Sequence, residues 1–372
     1  MAEAQATPDP TNDGGRPLLR ARLKDLDARL DTDLPLAVEP NAKLTTALQA
    51  DAERPWVVTG TGSSEAHARW LVWLLDRQCG LSAGFVPLST FFRQPPAHTT
   101  DRNLVVFSQG LSANAQWALQ QQMAYARCWL FTAVDPDRAR AAGKTERADL
   151  LEIFLAAGGH VWPMEPDDEY TLLIRVMGPF LGYLAALRFA RTLAPDRCPA
   201  FAPESVAAVL RSAPDRAAAA EPEGWLEAAG NRTIQGVVRD PVTGFCQNLA
   251  YKVLEGLYRP APVFWDFAQF AHGPFQQATL EPGPWLSFTG RTAMDRACDE
   301  RLAALFAPIA HPLFRLEAEL PPAWRILEYE WMLNHRLADW IDTLQIDQVA
   351  WPGKGRDGPI YSLQAPPATL EE

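Results

Sequence analysis

Short runs of β-branched, aromatic and small residues recur along the chain with helix-length stretches between them, and the rhythm runs through twice. The first block carries Trp56-Val-Val-Thr, Gly84 to Leu88, Leu104 to Phe107, Cys128 to Phe131 and His160 to Pro163. The second carries Ile234 to Val238, Pro262 to Trp265, Trp285 to Thr289 and Leu313 to Ala318. Unbroken apolar runs, as opposed to strict alternation, mark strands covered on both faces, and strands alternating with helices mean a parallel sheet. Helices are expected from Ser63 to Arg77, with a hydroxyl cap at its start, Gly244 to Tyr258, Ala293 to Phe306 and Trp324 to Leu344. Val57 to Leu104 spans 47 residues and Val237 to Leu286 spans 49, so the blocks read as an internal duplication. The expected fold is α/β, with two domains that are each a doubly wound parallel sheet flanked by helices.

Around these blocks, residues 1–54 read as a leader followed by amphipathic helices at Pro17 to Leu30 and Asn41 to Ala50. The first domain is expected over 55–195 and the second over 224–345. The Pro/Ala/Asp/Glu-rich tract 196–223 reads as a linker with a helix at Glu204 to Arg211 inside it. Residues 346–372, rich in Pro and Gly, read as an extended tail.

Composition narrows the function classes. A chain of 372 residues with 48% hydrophobic and 21% charged residues can bury a large core and does not read as disordered. A net charge of −11 has the wrong sign for gripping nucleic acid or an anionic membrane. No stretch reaches about 18 uninterrupted apolar residues, and the N-terminus lacks the basic start and apolar run of a signal peptide. The five cysteines form neither a CxxC pair nor a disulfide framework, which points to a reducing, cytoplasmic setting with no metal and no cofactor.

Two loops can hold a ligand. Gly60-Thr61-Gly62-Ser63-Ser64 lies where a strand turns into a helix, so amides and hydroxyls meet the positive end of a helix dipole. The sixth position is Glu65 where the dinucleotide fingerprint needs Gly, and no Gly-Lys-Ser/Thr is present, so neither nucleotide motif applies. An anion seat and a plain capped turn both fit, and Glu65 would repel an anion unless it points away. Ser108-Gln109-Gly110-Leu111-Ser112-Ala113-Asn114 repeats the design after the Leu104 strand. On a doubly wound sheet the two loops emerge at one edge, where Ser63, Ser64, Ser108, Gln109 and Ser112 can face one ligand.

The helix from Gly244 to Tyr258 carries Asn248, Lys252 and Glu255 at i, i+4 and i+7, a polar stripe beside Leu249, Val253 and Leu257. A surface ion pair is the plainer account, yet Lys before Glu is the weaker order for helix support. Only five of the 34 basic residues are lysines, so a lysine inside an apolar helix suggests a need for a compact charge. His272, before Gly273-Pro274, is either a loop histidine or a proton donor on a rigid turn. The other histidines show no metal-ligand spacing.

Gly60-Thr-Gly-Ser-Ser, Ser108-Gln109-Gly, Leu249-Ala-Tyr-Lys252-Val-Leu-Glu255-Gly-Leu-Tyr and Gln269-Phe-Ala-His272-Gly-Pro together resemble the double sugar isomerase (SIS) domain proteins, in particular the isomerase half of glucosamine-6-phosphate synthase. The resemblance runs from about Pro55 to Lys354. It implies a sugar or sugar-phosphate isomerase, aldose–ketose or amino-sugar, working through an enediol. Glu255 would move the proton, His272 open the sugar ring and Lys252 steady the enediolate, while Lys354 on the tail closes the site. It also implies a homodimer, with the His-Gly-Pro loop entering from the neighbouring subunit. The same machinery would serve a deglycase or deaminase of a sugar–amine adduct, and some SIS proteins are sugar sensors without catalysis. The sequence departs from the family pattern at Gly110 and Ala113, where the phosphate loop usually has Ser and Thr, with Ser112 one register away. It departs again at Asn248 and Gln269, which stand where the synthase has glutamates, and at Ala2, where the synthase has its nucleophilic Cys.

Overall fold

The computed structural model describes residues 13–50, 52–93, 99–165, 169–280, 283–308, 312–356 and 358. The expected leader up to residue 12 and the tail from 359 onward lie outside the described residues. Helices α1 (Arg16–Val38) and α2 (Thr45–Gln49) precede the first sheet. That sheet and its crossovers follow as β1 (Trp56–Gly60), α3 (Ser63–Trp73), β2 (Ala83–Phe85), β3 (Asn103–Phe107), α4 (Gln116–Leu119), β4 (Arg127–Thr132), α5 (Pro136–Ala141), α6 (Thr145–Ala156), β5 (His160–Pro163) and α7 (Met177–Leu193). After α8 (Pro203–Ala220) and α9 (Trp225–Asn231) come β6 (Gln235–Val238), α10 (Cys246–Leu257), β7 (Val263–Asp266), α11 (Pro274–Leu280), β8 (Trp285–Gly290), α12 (Ala293–Phe306), β9 (Leu313–Ala318) and α13 (Arg325–Leu344).

Both sheets are parallel throughout, ordered β2-β1-β3-β4-β5 and β7-β6-β8-β9. The chain reverses its winding between β1 and β3 in the first and between β6 and β8 in the second, the crevices where open α/β sheets take ligands. Side-chain alternation explains why whole runs are apolar. Trp56, Val58, Val105, Phe107, Trp129 and Phe131 face one apolar cluster, and their neighbours Val57, Leu104, Val106, Cys128 and Leu130 face another.

The tract expected as a linker is mostly helix. In α8, Val206, Ala207, Leu210, Ala213 and Ala217 recur at helical spacing and are buried, although Pro214 lies inside the helix. This face packs on α1 and α13. A single apolar cluster therefore runs from the first sheet through α1, α7, α8 and α13 to Leu286, Phe288, Phe314 and Leu316 of the second. The expected helix start also differs: α3 is preceded by Gly62 at φ 62°, and no side chain among the described residues caps it. No helix among the described residues is long and apolar enough to cross a membrane.

The beginning of the tail is docked. Gln348 is fully buried; its amide donates to the carbonyls of Glu255 (3.2 Å) and Gly256 (2.9 Å), and its Oε1 accepts from Ile174 N at 3.1 Å. One side chain thus ties the tail to the end of α10 and to the approach to α7.

Candidate functional site at the first switch point

The two switch points differ in what fills them. At the edge of the second sheet, Asp295 caps the start of α12 and pairs with Arg325 (2.5 Å) and Arg239 (3.4 Å), while Arg239 also donates to Thr289 Oγ1 at 2.7 Å. The chain's own charges close that crevice. At the first sheet, the loops after β1 and β3 flank the switch point instead.

Gly60 has no room for a side chain: a Cβ there would stand 2.4 Å from the Ser64 carbonyl oxygen, so the helix start folds back directly over the strand end. Ser64 is buried and Ser63 half-buried. Glu65, whose charge would oppose an anion here, pairs along the helix with Arg69 at 2.8 Å, and Arg69 stacks on Phe85. In the β3 loop, Ser108 and Gln109 are buried and Ser112 is half-buried. Ser108 Oγ accepts from the Ser112 amide at 3.1 Å. Leu111 holds φ 46°, a conformation usually left to glycine, with its side chain buried in the apolar cluster. The Gln109 carboxamide packs on Gly178, where a Cβ would come within 2.4 Å, so the loop touches the first turn of α7.

The departure at residue 110 has a steric reason. A Cβ on Gly110 would lie 2.1 Å from the Tyr170 hydroxyl, so Tyr170 occupies the space that the family's serine side chain would take. The guanidinium of Arg175 lies in turn 5.2 Å from the centre of the Tyr170 ring. The start of α7 is sealed from within. Glu169, 1% exposed, accepts the amides of Val176, Met177 and Gly178 at 2.8 Å each, filling the helix N-terminus with a carboxylate of the chain.

Helix α10 of the second half packs on α3 of the first and on α13. Its polar stripe meets a second one. Lys252, 2% exposed, donates to Asn334 Oδ1 (2.7 Å) and to the Arg175 carbonyl (2.8 Å) and pairs with Glu330 at 2.8 Å. These contacts use all three ammonium hydrogens. Asn248 donates to the other Glu330 oxygen at 3.2 Å and to the Tyr183 hydroxyl at 3.4 Å. Asn248 and Lys252 on α10 thus face Glu330 and Asn334, also i and i+4, on α13. Tyr183 packs edge-on against His67, a buried histidine whose pKa is pushed down to about 4, chiefly by burial, and whose Nε2 donates to the Pro179 carbonyl.

Glu255 sits three residues beyond Lys252 and is half-buried. Burial raises its pKa above the ordinary carboxylate range, against the opposing pull of Arg175 first and Lys252 second. Among the site residues, Arg175 and Lys252 are therefore the charges that act on it, without an ion pair to either among the described residues. His272 is exposed on the turn after the 3₁₀ segment Gln269–Ala271. Among the described residues no hydrogen bond or ion pair joins it to Glu255, Lys252 or Lys354. Lys354 is exposed as well; its ammonium donates to the Val349 carbonyl at 2.7 Å and lies over the Trp351 ring. The tail's own turn holds it. Sequence reasoning missed Glu169, Tyr170, Arg175, Glu330 and Asn334. The pair on α13 had a signal, since two polar residues at i and i+4 inside a buried helix mirror Asn248 and Lys252.

No protein-family model matches the chain, and no curated protein matches it in sequence. Solved structures do match. The C-terminal domain of glucosamine-fructose-6-phosphate aminotransferase from Francisella tularensis aligns with TM-score 0.70 and 10% identity, over 92% of this chain and 98% of that one. Glucosamine-6-phosphate deaminase from Thermotoga maritima aligns at 0.63 and 14%, over 90% and 97%. Tagatose-6-phosphate ketose/aldose isomerase from Escherichia coli aligns at 0.63 and 14%, over 93% and 98%. At these identities the likeness is one of fold: parallel sheets flanked by helices, an architecture this chain shares over nearly its whole length with solved structures described as phosphosugar isomerases and deaminases.

Proposed function

We propose that the chain is a sugar isomerase that moves a proton between adjacent carbons of an open-chain sugar or sugar phosphate. The observation that carries this reading is Glu255: a half-buried carboxylate of raised pKa within the electrostatic reach of Arg175 and Lys252, on the helix of one half that packs against α3 of the other. A carboxylate whose pKa burial has raised can both remove and return a proton, and such groups contribute about 10²–10⁴-fold to rate. The loops at 60–64 and 108–112 offer amides and hydroxyls for the sugar. His272 opens the ring from a second subunit of a homodimer. With its ammonium fully engaged, Lys252 is a positioning residue that holds α10, α13 and the Arg175 carbonyl together. Lys354 would reach an open-chain carbonyl only after releasing Val349.

Solvent exchange tests the reading. Incubation in deuterated water with fructose 6-phosphate, fructose and the matching aldoses should place deuterium on the carbon beside the carbonyl of at least one of them. Binding without label would point to a sensor, and no binding by any sugar would remove both. The shared site has its own test. Mixing Glu255→Gln with His272→Ala, each inactive alone, should regenerate about a quarter of the exchange activity if each site of a twofold dimer draws on both chains. No regain on subunit exchange would confine His272 to its own chain or remove it from the site.

A further inference from the structure

The segment 174–178 is pinned at every residue. Ile174 N donates to Gln348, the Arg175 carbonyl accepts from Lys252, and the amides of Val176, Met177 and Gly178 are held by Glu169. Groups from the tail, from α10 and from the loop before α7 thus converge on five successive residues. The backbone so fixed presents one cation. The Arg175 guanidinium is half-buried, lies along Tyr170, and among the described residues has no carboxylate within ion-pair distance.

Position adds to this. Tyr170 stands over Gly110 with its hydroxyl and under Arg175 with its ring, which brings the guanidinium toward the β3 loop, and the same charge acts on the Glu255 carboxyl. That loop carries no cation of its own: Gly110 offers no side chain, Ser108 Oγ accepts the Ser112 amide and has a single hydroxyl proton left to give, and α4 behind it has only four residues. A guanidinium held over a ring by a cation–π contact, with no carboxylate partner among the described residues, keeps N–H groups to give, in a fork that matches a two-oxygen anion.

We propose that Arg175 is the anion-binding residue of this site, receiving a phosphate or carboxylate group of the substrate while Tyr170 fixes the plane of the guanidinium and Lys252 fixes its backbone. The assignment rests on the site proposed above but not on turnover, because binding of an anion requires no proton transfer.

Calorimetric titration of the full-length protein at low ionic strength tests it. The probes are inorganic phosphate, acetate, fructose 6-phosphate, fructosyl-glycine and fructose. Wild type should bind an anionic sugar at least about tenfold more tightly than fructose. Preference for phosphate and fructose 6-phosphate assigns a phosphate, and preference for acetate and fructosyl-glycine assigns a carboxylate. Arg175→Gln should erase that preference while leaving fructose binding unchanged, and Arg175→Lys should restore part of it. Tyr170→Leu, which removes the stack and leaves the charge, should weaken the preference to a smaller extent and serves if the arginine variants do not fold. Anionic sugars bound equally by wild type and Arg175→Gln would overturn the proposal, as would a wild type that does not distinguish them from fructose. Intact anion binding with no solvent exchange would instead sink the isomerase reading and leave Arg175 in place.

Discussion

Replacing Glu255 by glutamine should lower proton exchange at the sugar by about 10²–10⁴-fold and at the same time raise the melting temperature at neutral pH. Both effects come from one cause. Burial raises the pKa of Glu255, so the folded protein favours the protonated form more than the unfolded chain does, whose value lies near 4.3. Below that unfolded value the carboxyl is protonated in both states and contributes no difference. As pH climbs toward the raised folded value, the unfolded chain gains an ionised group in water while the folded one resists, and stability falls. Above the folded value the deficit is constant. Glutamine, of the same shape and always neutral, carries no such deficit. The stability gain of Glu255→Gln should therefore vanish near pH 4 and grow as pH rises toward the raised folded value, which thermal unfolding from pH 4 to pH 8 measures directly. Exchange in the wild type should fall on the acid side, at a pH above that of an ordinary glutamate, as the base becomes protonated. A variant as active as wild type would remove Glu255 from the chemistry. A variant less stable at pH 7 would mean that the ionised carboxylate is favourably held, contrary to its burial.

The sheets were legible because strand and crossover leave different marks. Trp56 to Gly60 is an apolar run ending at Gly-Thr-Gly, where only a glycine permits Ser64 to fold back over residue 60. Helix α8 was legible only as Glu204 to Arg211, and the rest of it was hidden for the opposite reason. Pro203, Pro214 and a crowd of Ala gave the tract the composition of a linker, while the spacing from Val206 to Ala217 already marked a buried face. The stripe at Asn248 and Lys252 was legible as a stripe, but what it faces was not. Its partner Asn334 lies 82 residues away on α13, and periodicity speaks only of a single helix. Arg175 read only as a charge interrupting the apolar stretch from Thr171 to Leu193; it sits before the helix start, and its setting depends on Glu169, Gln348 and Lys252, which only the tertiary fold brings together.

Lys252→Met should cost about 3–5 kcal/mol, since removing one partner of a buried pair leaves the other charge uncompensated. Glu330 is 0% exposed, and burial already raises its pKa against the pull of Lys252. Without the ammonium that pull is gone, and the carboxyl keeps only the neutral amides of Asn248 and Asn334 among these contacts. The folded pKa of Glu330 then rises further, so the deficit should be largest above it and shrink as pH falls, which urea denaturation at pH 7 and pH 5 would show. Adding Glu330→Gln to Lys252→Met should recover much of the loss, because two neutral groups of similar volume replace two buried charges. Recovered stability is not recovered function. In the double variant the Arg175 carbonyl has lost its donor, the segment before α7 is released, and both sugar binding and exchange should stay depressed. A buried ion pair is a poor source of stability in itself, so its presence between α10 and α13 needs another reason. That reason is register: the same ammonium that locks α10 against α13 also fixes residue 175, and so sets Glu255 and Arg175 against each other. A double variant that regained wild-type exchange together with its stability would reduce the ladder to packing.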